Sequence, residues 1–184
     1  QPDGKAGSEK PKNEIGEITF SGPQIFLGYL NDETNTRKTI STDGYCYTGD
    51  LGYYDEKGLH FAGRSKFVIK PKGYQVFPTE VEEFIETHLP EKVALVGCVG
   101  APHEIFTEAI VAFVEKQAGV ELSDKEVYEV CKGLAAYKRP SHVEILEPEQ
   151  IPLNRVAKTD YMILKKMALK IVEQLRAKGL WDKK

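Results

Sequence analysis

The sequence has 184 residues, is 41% hydrophobic and 29% charged, and carries a net charge of -3. This composition is typical of a globular protein with one large or two small cores. The slightly negative charge argues against a general nucleic-acid-binding protein, because such domains are usually strongly basic. The three cysteines are scattered and odd in number, so we expect no disulfide framework and a reducing, cytoplasmic compartment. The longest apolar run, residues 93–101, is too short to span a bilayer, so no transmembrane segment is expected.

The first 62 residues predict a glycine-rich β subdomain. Residues 15–29 alternate in the manner of a strand, and residues 31–40 have a short helical pattern. Residues 51–61 predict a β-hairpin around the turn Asp55-Glu56-Lys57-Gly58. The polar N-terminus lacks an initiating Met and a signal-peptide pattern, so we expect the chain to begin within a longer protein.

After residue 62 the pattern becomes that of a small mixed α/β domain. Buried strands are expected at residues 93–99, 109–114 and 143–146. Helices are expected to begin at Thr79, at Ser123 and at Thr159 or Asp160, the last one ending near Gly179. The first two helices carry capping-box spacings, Thr79 with Glu82 and Ser123 with Glu126. The expected fold class is therefore α+β, with a β subdomain at 1–62, a hinge at 63–66 and a second domain at 67–184.

The most informative stretch is residues 63–82, which read G-R-S-K-F-V-I-K-P-K-G-Y-Q-V-F-P-T-E-V-E. Residues 67–69 predict a strand, Pro71-Lys72-Gly73 a tight turn, and residues 74–77 a second short strand. A basic surface hairpin that leads into a helix is the simplest interpretation of this pattern alone.

Three further residues could carry chemistry. Asp50, in Tyr47-Thr48-Gly49-Asp50, could accept hydrogen bonds from two ribose hydroxyls. Arg64 could reach sugar or phosphate oxygens with its forked donors. Lys158 lies in a polar, proline-led loop and could stabilise negative charge. Spacing alone favours a simpler interpretation for each, as a turn or surface residue. The four histidines lack metal-ligand spacing, so no metal site is expected.

Together these segments resemble the C-terminal portion of the adenylate-forming, AMP-binding enzymes. That superfamily includes acyl-CoA synthetases, 4-coumarate-CoA ligases, firefly luciferase and nonribosomal peptide adenylation domains. The matching pieces occur in the family's order: G-E-I-T-F-S-G, Y-T-G-D, the stretch at 63–82, A-A-Y-K-R-P and the loop that carries Lys158.

The resemblance implies a role for each candidate residue. Asp50 and Arg64 would bind the ribose of ATP, and Lys158 would bridge the substrate carboxylate and the α-phosphate. Lys66 matches the hinge about which the small C-terminal domain turns. The segment Lys72-Gly73-Tyr74 matches the hairpin that lines the pantetheine channel after that rotation.

The implied chemistry is that of an ATP-dependent acid–thiol ligase, an acyl-CoA synthetase of the kind used in fatty acid metabolism. A carboxylic acid reacts with ATP and Mg²⁺ to give acyl-AMP and pyrophosphate, and CoA then takes the acyl group. Two alternatives stay open: an adenylation enzyme that loads a carrier-protein phosphopantetheine, of the peptide-synthetase or D-alanine-ligase type, and a non-catalytic module that binds CoA or a carrier protein. A third alternative is a structural domain with no catalytic or binding role.

Two departures from the family pattern limit these expectations. Asn154 and Ala157 stand where the family usually has Thr or Ser and Gly ahead of the lysine. If the glycine position needs a positive φ angle, Ala157 is strained and the loop that carries Lys158 is placed differently. The family's phosphate loop and its Tyr-Gly-x-Thr-Glu segment do not occur in the sequence. We therefore expect this chain to be inactive alone.

Overall fold

The structure, a computed structural model, describes residues 4–182, so the outermost residues of the predicted ranges 1–62 and 67–184 lie outside the described residues. The chain divides into two compact units, of which the first ends at Lys66 and the second begins at Phe67.

The first unit is built on a three-stranded antiparallel sheet in the order β1-β2-β3. Its elements are β1 (Gly16–Ser21), α1 (Glu33–Thr39), β2 (Tyr45–Asp55) and β3 (Gly58–Arg64). The two residues between β2 and β3 form the predicted hairpin turn, where the backbone N–H of Lys57 donates to the Asp55 carboxylate (2.7 Å). The predicted hairpin is confirmed.

The second unit is a three-stranded sheet with helices on both faces. Its elements are α2 (Pro78–His88), β4 (Val93–His103), β5 (Thr107–Lys116), α3 (Asp124–Cys131), β6 (His142–Leu146) and α4 (Tyr161–Ala177). β4 and β5 are antiparallel, and β6 runs parallel to β5 at the sheet edge. The mixed α/β class expected for this part of the chain is confirmed.

Alternate residues of β4 and β5 face opposite sides of this sheet, as strand geometry requires. On one side, Cys98 and Val114 pack in the cluster that includes α2 and α3. On the other, Val111 and Phe113 pack in the cluster that includes α4. Gly97 lets α4 approach closely, because a Cβ atom there would lie 2.5 Å from Leu164 Cδ1.

Two of the three predicted helix starts are confirmed. Ser123 and Glu126 form a reciprocal capping box at α3. Asp160 caps α4 by accepting from the backbone N–H groups of Met162 and Ile163. Gly179, with φ +63°, follows the end of α4, where the left-handed conformation favours glycine.

The predicted capping box at α2 is wrong. Pro78 is the first helical residue, and the cap is Phe77, which makes no side-chain capping hydrogen bond. Glu82 is buried and accepts instead from the Cys98 backbone N–H (2.7 Å) and the Tyr161 hydroxyl (2.8 Å). These long-range partners satisfy its carboxylate, which leaves it unable to reach back to its own helix end.

The two strands predicted at residues 67–69 and 74–77 are also wrong. Only Ile69 and Val76 pair, through two backbone hydrogen bonds of 2.9 Å. The segments around this bridge form short 3-10 turns, Ser65–Phe67 and Pro71–Gly73. Pro71 has no backbone N–H to extend a ladder, and Lys72 adopts a left-handed conformation (φ +49°), so regular strand pairing stops there.

Candidate functional site

Asp50 and Arg64 form an ion pair in the first unit. They lie directly opposite each other on β2 and β3, and Arg64 Nη1 is 3.0 Å from Asp50 Oδ1. Their side chains are 34% and 47% exposed, so both groups are accessible to a ligand. The structure thus brings the two predicted nucleotide-binding residues together at the sheet surface.

The turn before Asp50 fixes this pair. Gly49 has φ +76°, and a Cβ atom at this position would lie 3.3 Å from Arg64 Nη1. The same Nη1 donates to the Thr48 carbonyl (2.6 Å), while the Thr48 hydroxyl donates to Ile18 (2.7 Å). Glycine therefore leaves room for the guanidinium to lie across the strand and hold the carboxylate in place.

The predicted pantetheine-channel residues Lys72, Gly73 and Tyr74 form one tight turn of the second unit. Lys72 and Gly73 both have positive φ angles, +49° and +84°. The Tyr74 backbone N–H donates to the Pro71 carbonyl (3.0 Å), which closes the turn. The turn therefore projects from the Ile69–Val76 bridge with Pro71 buried beneath it and Tyr74 exposed.

Tyr137, which the sequence did not single out, stacks on Tyr74 with ring centroids 4.3 Å apart. Lys138 lies 5.7 Å from the Tyr137 ring and forms an ion pair with Glu80. Both residues belong to the A-A-Y-K-R-P segment, whose resemblance was the only sequence signal for this surface. The result is an aromatic and basic surface beside the Lys72-Gly73-Tyr74 turn.

Lys158 is exposed in a small closed loop between β6 and α4. A bridge between Leu153 and Thr159 closes the loop, and the Asn154 backbone N–H donates to the Lys158 carbonyl (2.7 Å). Asp160 caps α4 directly after the loop. The lysine is therefore presented on a defined backbone at a helix N-terminus.

The two departures in this loop have distinct structural consequences. The Asn154 side-chain oxygen accepts from the backbone N–H groups of Val156 (3.0 Å) and Lys158 (3.1 Å), so asparagine organises the loop from the position where Thr or Ser was expected. Ala157 has φ +56°, the conformation that favours glycine. The loop is formed despite the strain at Ala157.

Lys66, the predicted hinge residue, lies in the Ser65–Phe67 turn at the end of the first unit. The next residue, Phe67, stacks on Tyr161 at the start of α4, with ring centroids 4.7 Å apart. The Tyr161 hydroxyl in turn donates to Glu82. The segment that follows Lys66 is thus anchored near the loop that carries Lys158.

Burial determines the pKa values of the hydrogen-bonded pair Glu82 and Tyr161. Desolvation raises the pKa of Glu82 to about 7. The hydrogen bonds from the Cys98 N–H and the Tyr161 hydroxyl act in the opposite direction and lower this pKa, but by less. Desolvation and the neighbouring Glu82 carboxylate raise the pKa of Tyr161 above its ordinary value. The hydroxyl therefore remains a donor, and Glu82 titrates near neutral pH.

Within residues 4–182, no group of three or more histidine, cysteine, aspartate or glutamate side chains is arranged to hold a metal ion. Within the same residues, no helix is long and apolar enough to cross a membrane.

Comparison with known families places these residues in context. Residues 80–158 match the family described as AMP-binding enzyme C-terminal domain. The chain is 37% identical over 161 residues to a 4-coumarate-CoA ligase of Vanilla planifolia, covering 86% of this chain and 29% of that protein. It is 37% identical over 171 residues to 4-coumarate-CoA ligase-like 4 of Oryza sativa, covering 92% and 30%.

Solved structures of related proteins are also similar to this chain. ATP-bound MatB from Rhodopseudomonas palustris matches with a TM-score of 0.82 and 31% identity over 92% of this chain and 33% of that one. The o-succinylbenzoate CoA synthetase MenE from Bacillus subtilis, in complex with its acyl-adenylate intermediate, matches with a TM-score of 0.74 and 29% identity over 86% and 31%. The chain thus spans about a third of the length of each of these four proteins.

Proposed function

Because the chain belongs to the superfamily of adenylate-forming, AMP-binding enzymes, we propose that it is the C-terminal part of an ATP-dependent acid–thiol ligase. The full-length protein would convert a carboxylic acid to an acyl-adenylate and transfer the acyl group to CoA. The observation that carries this proposal is the 37% identity to a 4-coumarate-CoA ligase across both units of the chain.

Asp50 and Arg64 are the proposed ribose-binding residues. The carboxylate accepts hydrogen bonds from the ribose hydroxyls, and the ion pair with the guanidinium holds that carboxylate in its orientation. Support comes from their partial exposure and from the cross-strand ion pair, which presents an acceptor and a donor at one point of the sheet. No residue of this chain is proposed as a ligand of Mg²⁺; the metal would accompany ATP.

Lys158 is the proposed adenylation residue. Its ammonium group would offset negative charge as the acid carboxylate attacks the α-phosphate of ATP, forming the acyl–phosphate bond and releasing pyrophosphate. Such a preorganised cation is typically worth ~10²–10³ in rate. The hydrogen bonds that Asn154 makes within the loop support this role, since they fix the backbone of an otherwise exposed lysine.

Lys72, Gly73 and Tyr74 are proposed to line the channel for the thiol in the second half-reaction. We propose Lys66 as the hinge and residues 67–184 as the mobile domain, following residues 1–62 and the linker 63–66. One active site must stabilise two transition states with different charge, and rotation of a small domain exchanges the residues that face the substrate.

CoA is the proposed thiol, in preference to a carrier protein. Residues 70–76, K-P-K-G-Y-Q-V, resemble the CoA-ligase branch, and two relatives are named as CoA ligases. We further propose a reducing compartment such as the cytoplasm, because all three cysteines are free and buried.

The test uses the full-length protein that carries this chain, with ATP, Mg²⁺, CoA and a panel of aryl and fatty acids. We expect acid-dependent pyrophosphate release and one acyl-CoA product for each acid accepted. The carrier-protein alternative would be supported by a different result. In that case CoA would give pyrophosphate release but no thioester, whereas a carrier protein would be loaded with the acyl group.

The 184-residue chain alone should form neither product. Saturable micromolar binding of CoA by this chain would favour the alternative of a non-catalytic binding module. Absence of both pyrophosphate and acyl-CoA from the full-length protein, across the whole panel, would contradict the proposal.

A further inference from the structure

The turn between β4 and β5, together with the start of β5, contacts the Lys70–Gly73 segment at three points. The Lys70 backbone N–H donates to Glu108 Oε2 (2.8 Å). The Lys72 backbone N–H donates to the Phe106 carbonyl (2.8 Å), and Lys72 Nζ lies 4.7 Å from the centre of the Phe106 ring. Phe106 therefore holds Lys72 at both its main chain and its ammonium group.

These contacts act on a backbone that is unfavourable without them. Lys72 and Gly73 both have positive φ angles, and Lys72 is the one of the two that carries a side chain. This conformation is unfavourable for Lys72 because its Cβ atom comes too close to the backbone. The hydrogen bonds donated by the Lys70 and Lys72 backbone N–H groups restrict the segment to this conformation. The charge on Glu108 strengthens the bond to Lys70.

The β4–β5 turn is itself rigidly built. His103 is buried, and its Nδ1 accepts from the backbone N–H groups of Ile105 (3.2 Å) and Phe106 (3.3 Å). Its ring lies against both Phe106 and Trp181. The turn can therefore serve as a fixed support for the residues that rest on it.

Gly100 on β4 makes room for this arrangement. A Cβ atom there would lie 2.9 Å from Ile69 Cγ2 and 3.3 Å from the Glu108 carboxyl carbon. Without that atom, the Glu108 carboxylate can lie over the strand and reach Lys70. The site for Glu108 is thus shaped by the sheet and does not depend on the loop alone.

From these contacts we propose that Glu108 and Phe106 are positioning residues for the Lys72-Gly73-Tyr74 turn, acting through the backbone of Lys70 and Lys72. The inference rests on the proposed function, because it makes the two residues specific to the thiol-transfer half-reaction. Glu108 lies in neither buried core cluster, and Phe106 is partly buried against the cluster that includes α4. Both residues act on the turn through direct contacts.

Three substitutions test the proposal. Glu108→Ala removes the acceptor, whereas Glu108→Gln keeps a side-chain oxygen for the Lys70 N–H. Phe106→Leu removes the ring under the Lys72 ammonium but retains the backbone carbonyl. Ile105→Ala is the control, since Ile105 is an exposed neighbour in the same turn.

The first readout is amide hydrogen exchange of the 184-residue chain, which does not depend on any activity. We expect Glu108→Ala to accelerate exchange at Lys70 and Lys72 by roughly ten- to a hundredfold, the range for loss of a charged hydrogen bond. Glu108→Gln should restore most of the protection, and Ile105→Ala should leave it unchanged. Unchanged exchange in both Glu108→Ala and Phe106→Leu would overturn the proposal.

The second readout separates the half-reactions in the full-length protein. Glu108→Ala should slow thioester formation from supplied acyl-AMP by about tenfold or more, while acid-dependent pyrophosphate release stays within about twofold. Equal loss in both half-reactions, or none in either, would overturn the positioning role. A wild-type protein that makes no acyl-CoA would contradict the proposed function, whereas amide exchange would still decide whether these residues hold the turn.

Discussion

Tyr161 donates its hydroxyl to the buried carboxylate of Glu82 at 2.8 Å, and this bond joins the first turn of α4 to α2. The Tyr161 ring also stacks on Phe67, the residue after the proposed hinge. One side chain thereby connects the beginning of the second unit with the helix that follows the Lys158 loop.

Glu82 gives the second unit a pH-dependent stability. Its pKa is raised to about 7 in the folded chain from an ordinary 4.5, so the folded state retains a proton that the unfolded state has released. The stabilisation is present below pH 4.5 and is lost as the pH rises to 7, with a total of about 3 kcal/mol. In Glu82→Gln the neutral amide can still accept hydrogen bonds, so this loss should disappear.

The measurement is the free energy of unfolding by urea between pH 4.5 and 8, for the wild type and Glu82→Gln. Tyr161→Phe is a second informative variant, because loss of the hydroxyl donor should raise the pKa of Glu82 further. The pH range over which stability is lost should then move to higher pH. Parallel stability curves for wild type and Glu82→Gln would contradict the assignment.

Lys158→Ala should reduce acid-dependent pyrophosphate release in the full-length protein by ~10²–10³. Thioester formation from supplied acyl-AMP should survive, because the lysine is proposed to act only in adenylation. Rapid-quench measurement of each half-reaction checks this, with Lys165→Ala, an exposed lysine of α4, as the matched control. Equal loss of both half-reactions would sink the assignment of Lys158.

Lys66→Pro should impair thioester formation more than adenylation. Proline fixes φ near −65° and removes a backbone N–H, so it restricts the rotation proposed at this position. Lys66→Ala leaves φ free and should retain both half-reactions. An unimpaired second half-reaction in Lys66→Pro, measured from supplied acyl-AMP, would count against a hinge at Lys66.

Ala157→Gly should stabilise the second unit by about 0.5–1 kcal/mol. Glycine relieves the strain at φ +56°, an effect partly offset by its greater freedom in the unfolded chain. Thermal unfolding checks the sign. Ala177→Gly, at the end of α4, should instead destabilise by up to about 1 kcal/mol. Destabilisation by both changes would show that Ala157 is not strained.

Sequence reasoning succeeded where neighbouring residues decide the structure. The Asp55–Gly58 turn, the Ser123–Glu126 capping box and the Asp160 cap are each closed within a few residues. Near-continuous apolar runs in β4 and β5 likewise indicated buried strands, since both faces of this sheet are covered.

It failed for the strands predicted at 67–69 and 74–77, where Pro71 and the left-handed Lys72 interrupt pairing. It also failed where a residue distant in sequence determines the structure. Glu82 has the spacing of a capping residue, yet its carboxylate binds Cys98, sixteen residues away, and Tyr161, seventy-nine residues away. Glu108 contacts Lys70 across thirty-eight residues, and no local pattern distinguishes it from a surface glutamate. The roles of Asp50, Arg64 and Lys158 came from resemblance, because spacing alone favoured surface residues.

Because all three cysteines are buried, their reaction with an alkylating reagent can report the unfolding of the chain. Cys46 lies in the first unit, whereas Cys98 and Cys131 lie in the second. Burial raises the pKa of Cys131 to about 11 and that of Cys98 well above its ordinary value, so an alkylating reagent should react only after a unit opens. Intact-mass spectra would then record one adduct when the first unit opens and two when the second does, without any engineered label.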